Sequence, residues 1–516
     1  MAEHNSPILR VSPDVLNAVF EYLEPRSLEN AALSHSYFYS CADRLRFRII
    51  RLTVAGRVPV LLARTLLERP QFQQHVRHLE LAQAPEMNPP VPNALASPHP
   101  VLSVMDIFPF NLLNRGLLNA HLVGKGLEGI SASFRQPGYA QPELLALLFS
   151  LMPNVAILKM DARLFHVPFF KGDGAPGCLN VDGYCDDCHW DDSTSGLSLL
   201  RPLRNLKTFW LDEGKLIDRT RTEPWAVEDY PEKLHHVPGM LNAGNLRHYS
   251  GIMPDSFLKI LLENHDHNFA FTHLSVKMTM SDPTLLRMFL ARTPHLKVLV
   301  YKHYWVSDTS TFNFEALHSA LSKVKSTLEI LHITTYAFHE AKYSDLMNLR
   351  IRLPTFDNLI DGNYGSLQDF TSLKTLLIPG PMLLPVREAM HSPLSSTTLS
   401  SIPTPASPLP LSNILPDALE HLTLTDCLLP LLPPPTTPSD FHVFHRSMTK
   451  FTWARQKLRL ANSPVTSRLR TIAVYAKTNW LRWPEKEVMD LVRNAREEGV
   501  EMRYEDVAHG IIRPDP

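Results

Sequence analysis

Cys178, Cys185, Cys188 and His189 form the densest group of potential metal ligands in this 516-residue chain. Thiolates and an imidazole suit a structural zinc ion, which is usually held tetrahedrally by four such ligands. The second Cys-x-x-Cys pair that normally completes such a site is absent, so no metal is expected and the cluster reads as an acidic surface loop around Asp186 and Asp187, with zinc the weaker alternative. Cys185, Cys188 and His189 also match a haem-attachment string, but that chemistry needs an export context, and the mixed-charge N-terminus lacks an apolar core of signal-peptide length. Two further histidine groups, His235 with His236 and His265 with His267, have no sequence partners and read as surface residues. The chain contains no phosphate-binding loop, dinucleotide fingerprint, Gly-x-Ser-x-Gly elbow or His-Glu-x-x-His helix. No cofactor is expected, and the chain reads as non-catalytic.

The elements that would carry such residues are those of an ordinary globular protein. Hydrophobic residues make up 44% and charged residues 20%, while 51 basic and 52 acidic side chains leave a formal charge of −1. That balance supplies no field for nucleic acid or an anionic membrane. Arg44–Arg51 and Lys297–Tyr304 mix basic and aromatic residues but resemble no nucleic-acid module. No run of about 18 apolar residues suggests a membrane span. Five cysteines in so long a chain do not make a disulfide framework, which points to the cytoplasm or the nucleus.

One pattern, apolar-x-x-apolar-x-apolar, recurs along most of the chain. It appears at Val76, Leu79 and Leu81, at Val155, Leu158 and Met160, and at Leu206, Phe209 and Leu211. It continues from Leu246 and Tyr249 through Phe271, Leu296, Leu328, Leu373 and Leu419 to Leu469. From Leu246 the first positions are spaced by 25, 25 and 32 residues, and then by 45, 46 and 50. Amphipathic helices fall between them, over Pro142–Met152, Pro254–Asn264, Asp282–Arg292 and Asn313–Lys323. Alternating strands and helices at this period cannot bury their apolar faces singly, so stacking of repeats is expected. The shorter spacings suit leucine-rich repeats, and a doubly wound sheet is the competing arrangement. After Trp480 and Trp483, a helix over Glu485–Glu498, stopped by Gly499, and a strand from Val500 to Tyr504 should close the array.

The first fifty residues follow another rule. Ser12, Pro13 and Asp14 spell a helix start, and Val15, Leu16, Val19, Phe20 and Leu23 make one apolar stripe behind it. Pro25 opens a second helix with Leu28, Ala31 and Ala32, and Phe38, Cys41 and Leu45 step along a third. Three such helices in some forty residues bury little area and gain from a partner. The order Val11, Pro13, Asp14, Val15, Leu16, Val19, Phe20, Tyr22, Leu23, Pro25, Ser27, Leu28, Ala31, Leu33 and Phe38 resembles the F-box. The usual Leu-Pro start of that motif is replaced by Val11 and Ser12, with the proline one place later, and Ser34, His35 and Ser36 replace its polar-basic cluster.

The resemblance covers residues 7–50 and implies docking to a Skp-type adaptor and, through it, to a cullin–RING ubiquitin ligase. Pro13, Val15, Leu16, Val19, Phe20, Leu23, Pro25, Leu28 and Leu33 would form the docking surface. The expected fold is therefore α/β: a small N-terminal three-helix F-box, then a curved leucine-rich-repeat-like solenoid over 51–516 that holds an unknown protein substrate. Pro-rich insertions at about 84–100, 379–416 and 430–438 are expected to be disordered, since such composition cannot offset the entropy of ordering. Ser392, Thr404, Ser407 and Thr437, each followed by proline, are either disorder composition or proline-directed phosphorylation sites. A leucine-rich-repeat scaffold without ligase coupling is the alternative function.

Overall fold

The computed structural model describes residues 7–54, 57–83, 112–125, 141–161, 203–212, 244–253, 255–263, 268–278, 283–304, 312–336, 360–361, 365–379, 414–425, 468–476, 499–506 and 510–512, with isolated positions at 164, 241, 382, 492–493 and 495–497. The chain divides into two compact units: Met1–Asp218 with Glu232–Leu246, and Arg219–Pro231 with Arg247–Pro516.

The first unit begins with three helices, α1 (Pro13–Phe20), α2 (Pro25–Ser34) and α3 (Ser36–Arg46). Ser12 caps α1, its Oγ accepting from the Val15 N–H at 3.4 Å, and Pro13 occupies the first turn, where no N–H is needed. His35 caps α3, its Nδ1 accepting from the Tyr37 N–H at 3.0 Å. The Tyr37 hydroxyl donates to the Val11 carbonyl at 2.6 Å and ties the third helix to the start of the first. Leu16, Phe20, Leu28, Ala32, Cys41 and Ala42 form the core of this segment, with Val11, Leu23, Phe38 and Leu45 packed around it.

Four strands follow: β1 (Ile49–Val54), β2 (His78–Gln83), β3 (Ile157–Asp161) and β4 (Thr208–Asp212). They pair in chain order and in parallel. Helices α4 (Val58–Glu68), α5 (Arg115–Lys125) and α6 (Gln141–Leu151) belong to the same unit, and α4 packs against β1, α5 and α6. The alternate residues Leu52, Val54, Leu79, Leu81, Leu158, Met160, Phe209 and Leu211 are buried. They meet an apolar layer that includes Val60, Ala63, Leu66, Leu144, Leu147 and Leu151 from the helices, also buried. A period-two pattern on the strands and a helical period between them are the expected signs of such layering.

The second unit repeats the arrangement. Strands β5 (His248–Ile252), β6 (His273–Met278), β7 (Val298–Tyr304), β9 (Ile330–Tyr336), β11 (Thr375–Pro379), β12 (His421–Thr425), β13 (Thr471–Ala476) and β14 (Glu501–Asp506) pair in parallel in that order. The last strand, β15 (Gly510–Ile512), is antiparallel to β14. Two-residue strands β8 (Phe312–Asn313) and β10 (Ile360–Asp361) form a separate ladder. Helices α7 (Asp255–Glu263), α8 (Pro283–Ala291) and α9 (Phe314–Leu321) pack successively, with Phe257, Leu261, Phe289, Leu290, Leu317 and Leu321 buried. Gly499, at φ 71°, ends the helical residues before β14 in a conformation that a side chain disfavours.

This architecture corrects the expected one. It is α/β, with twelve parallel main strands, four in the first unit and eight in the second. It does not show a separate three-helix F-box followed by a curved leucine-rich-repeat solenoid. The leucine signature marks a strand with alternate residues buried, which any parallel sheet covered by helices requires, so it was too general to define a repeat family. The N-terminal helices are likewise not a free head. Phe47, directly after α3, stacks on Phe72 with ring centres 4.3 Å apart, and Arg48 reaches Glu21 at 3.2 Å. The Arg48 carbonyl accepts from the N–H groups of Arg77 and His78, so the sheet pairing starts at the end of α3. The proline-rich stretches 84–100 and 430–438 lie outside the described residues. So does 379–416, apart from Pro379 in β11, Met382 and the turn at 414–416. Most of the expected helix Glu485–Glu498 also lies outside them, while the closing strand is present as β14.

Candidate functional site

The helical pitch divides the expected docking residues into two sets. Leu16 and Phe20 are 3% and 7% exposed and Leu28 is buried as well, so these three hold the helices together. Leu23 is half-buried against the same core. On the other side of α1, Val15 is 53% and Val19 52% exposed, and Tyr22 in the following turn is 90% exposed. Positions 15 and 19 are spaced i, i+4 and share one face of α1, and Tyr22 follows in the turn after the helix. Pro13 is exposed at the head of α1, and Leu33 at the end of α2 is 75% exposed. Pro25 occupies the first turn of α2. Sequence reasoning missed Tyr22 as a surface residue, although its place directly before Leu23 and Pro25, after the end of α1, put it in an exposed turn. Ile8 and Tyr39 are also exposed apolar residues of this segment that went unremarked.

Single exposed apolar side chains are common on proteins, but three close together in α1 and the turn that follows it are a candidate contact surface. The segment offers no nucleophile–base pair. Its one thiol, Cys41, is buried in the helical core.

The second candidate is the outer face of each sheet. In the first unit, register aligns Arg51, Glu80, Lys159 and Trp210 across β1 to β4. Arg51 pairs with Glu80 at 3.0 Å and Lys159 with Asp212 at 3.7 Å, and His78 Nε2 lies 3.2 Å from Glu80. Burial lowers the pKa of His78, against the pull of Glu80. In the second unit the corresponding rows carry His248, His273, Val298, Ile330, Thr375 and His421, then Ser250, Ser275, Val300, His332, Leu377 and Thr423. Beside them Glu329 accepts from Lys297 at 2.9 Å and from Lys374 at 3.3 Å, and those hydrogen bonds hold its carboxyl below the usual range.

A polar ladder that the sequence reading missed supports the first unit. The Asn154 amide donates to the Gln74 carbonyl at 3.2 Å, Asn205 to the Pro153 carbonyl at 3.3 Å and to Asn154 Oδ1 at 3.0 Å, and Asn245 to the Arg204 carbonyl at 2.9 Å. The signal was an asparagine directly before the first apolar position of three successive patterns.

Cys178, Cys185, Cys188 and His189 lie outside the described residues, as do His235, His236, His265 and His267. Among the described residues no group of three or more His, Cys, Asp or Glu side chains is placed to hold a metal ion. No described helix is long and apolar enough to cross a membrane. Comparison with protein-family models gives no match, and comparison with curated proteins gives none either.

Proposed function

We propose that the chain is a non-catalytic adaptor of a ubiquitin ligase. In this reading the N-terminal helices dock a Skp-type adaptor and through it a cullin–RING ligase, and the sheet carries the protein to be modified. The observation that carries the reading is the outward apolar surface of Val15, Val19 and Tyr22, within the stretch whose sequence resembles the F-box. The chain would contribute proximity, raising the effective concentration of target at the ligase, and transfer chemistry would rest with other subunits. Cytoplasm or nucleus is the compartment that fits. A protein-interaction scaffold without ligase coupling is the second reading, favoured by the departure from the motif at Val11 and Ser12.

Affinity purification of the full chain from cells tests the proposal. A Skp-type adaptor and a cullin should co-purify with the wild-type chain and be lost from Val19→Asp, while the remaining bound proteins persist. Recovery of those proteins without any Skp-type adaptor in either sample would select the scaffold.

A further inference from the structure

The outer side of the second unit's sheet differs in charge from that of the first. In the first unit Glu80 and Asp212 stand beside Arg51 and Lys159, so the strands carry both signs. In the second unit, no outward position of the paired strands from β5 to β13 carries a carboxylate. Lys277 on β6 and Lys302 on β7 are register partners there, with Thr334 of β9 next in the row. We propose that this face binds an extended peptide segment of a partner protein in which an aliphatic side chain is followed closely by a carboxylate. The inference rests on the reading of the sheet as the target-bearing face, which the ligase adaptor and the scaffold share, and it names the chemistry of that target.

Access comes first. Leu274, Val276, Leu299, Tyr301, Leu331 and Ile333 are buried on the inner side, so the residues that alternate with them point the other way. Ser275, Lys277, Val300, Lys302, His332 and Thr334 are only half-buried, and His273 is exposed. The face is thus partly open at these positions.

Charge selects the occupant. Like charges directly opposite on neighbouring strands repel, and a carboxylate placed between Lys277 and Lys302 lowers that cost. Ammonium and hydroxyl groups also supply the donors that carboxylate oxygens accept. A nucleic-acid strand fits less well, since it needs a track of cations along its backbone and aromatic platforms for its bases. The outward positions from β5 to β13 offer Lys277 and Lys302 but no arginine.

Apolar surface fixes the rest of the segment. Val298 on β7 aligns with Ile330 on β9, and Val300 aligns with His332, which in turn aligns with Leu377 on β11. All five are half-buried and leave an aliphatic strip beside the lysines. Val300 and Lys302 are two residues apart on one strand, a distance of about 7 Å. An extended peptide covers that distance in two residues, so its acidic and aliphatic side chains should lie within two positions of each other.

Selection of short random peptides against the purified full chain, followed by calorimetry with a selected peptide, tests the assignment. Selected sequences should be enriched in Asp or Glu within two positions of Leu, Ile or Val. Lys277→Glu combined with Lys302→Glu should weaken the selected peptide at least about tenfold, and a peptide with lysines in place of its carboxylates should regain affinity for that variant. Lys297→Gln, at a lysine already held by Glu329, should bind like the wild type. Val300→Thr, which keeps the shape but not the apolarity, should weaken binding severalfold. Circular dichroism of each variant guards against loss by misfolding. Failure to select any peptide, selection without acidic enrichment, equal affinity of the double variant, or tighter binding of a uridine oligonucleotide than of any peptide would overturn the assignment. A wild-type chain that binds the acidic peptide but no Skp-type adaptor would support it and remove the ligase reading alone.

Discussion

The N-terminal helices and the second unit's sheet handle their apolar residues differently. In β6, β7, β9, β11 and β12 the alternate residues Leu274, Leu299, Leu331, Leu376 and Leu422 are buried without exception, and the helices supply the opposing layer. In α1 the apolar residues outnumber the positions that can face inward. Leu16 and Phe20 enter a core of only six buried residues, and Val15, Val19 and Tyr22 remain outside. A sheet backed by helices can absorb every apolar position of a period-two pattern. Three short helices cannot, and their surplus is the surface available to a partner.

Two substitutions one position apart expose this difference most sharply. Phe20→Ala removes a buried ring with its edge-on contact to Phe38 at 6.0 Å and should cost about 3–5 kcal/mol of unfolding free energy. Val19→Asp should cost no more than about 1 kcal/mol, because about half of the side chain is already exposed and it is not part of the buried core. Urea denaturation of both variants measures the contrast, and a large loss for Val19→Asp would mean that the α1 face is covered.

The sheet has its own pH signature. His303 on β7 is fully buried, and burial pushes its pKa down to about 3. The unfolded chain takes up a proton near pH 6.5 that the folded site refuses. Stability is therefore complete above about pH 6.5 and declines as pH falls from there toward 3. His332, whose pKa is also lowered by burial, adds to the same slope. Melting temperatures between pH 7.5 and 5 should fall in the wild type and fall less steeply in His303→Asn.

A smaller effect separates the polar ladder from the apolar layers. Asn205→Ala removes hydrogen bonds to Pro153 and Asn154 at a partly open edge and should cost about 1 kcal/mol. Leu206→Ala, the next residue and buried, should cost roughly 2–5 kcal/mol. Equal costs at the two positions, read from the same denaturation curves, would remove the distinction between ladder and core.

Much of the chain's layout was legible in its residues. The apolar triplets marked β2, β3, β4, β6, β7, β9, β11, β12 and β13, because alternation with a period of two is a direct consequence of strand geometry. Helices α6 to α9 were legible from their 3.6-residue period. The class of architecture was not, because Leu-x-x-Leu-x-Leu reports which side of a strand is buried and not how strands are assembled. The boundary at residue 50 was misleading for a related reason. Composition separates the helices from the strands, but Phe47, Arg48 and Phe72 join them, and contacts between residues that far apart in the chain leave no periodic trace. Within the candidate site the apolar stripe was read as one surface. Only the helical phase, fixed by the Ser12 cap and by Tyr37 against the Val11 carbonyl, separates Leu16 and Phe20 from Val15 and Val19. Those same bonds give Val11 and Ser12, where the chain departs from the motif, a structural role of their own.

The central claim is that the outward face of α1 is a docking surface for a Skp-type adaptor. Its most direct test is the affinity of the purified chain for a purified Skp-type adaptor, measured by calorimetry for the wild type and for Val19→Asp combined with Tyr22→Asp. The account predicts saturable one-to-one binding by the wild type and at least a hundredfold loss in the double variant, with its urea midpoint unchanged. Wild-type binding that survives both substitutions, or no binding by a folded wild-type chain, would contradict it.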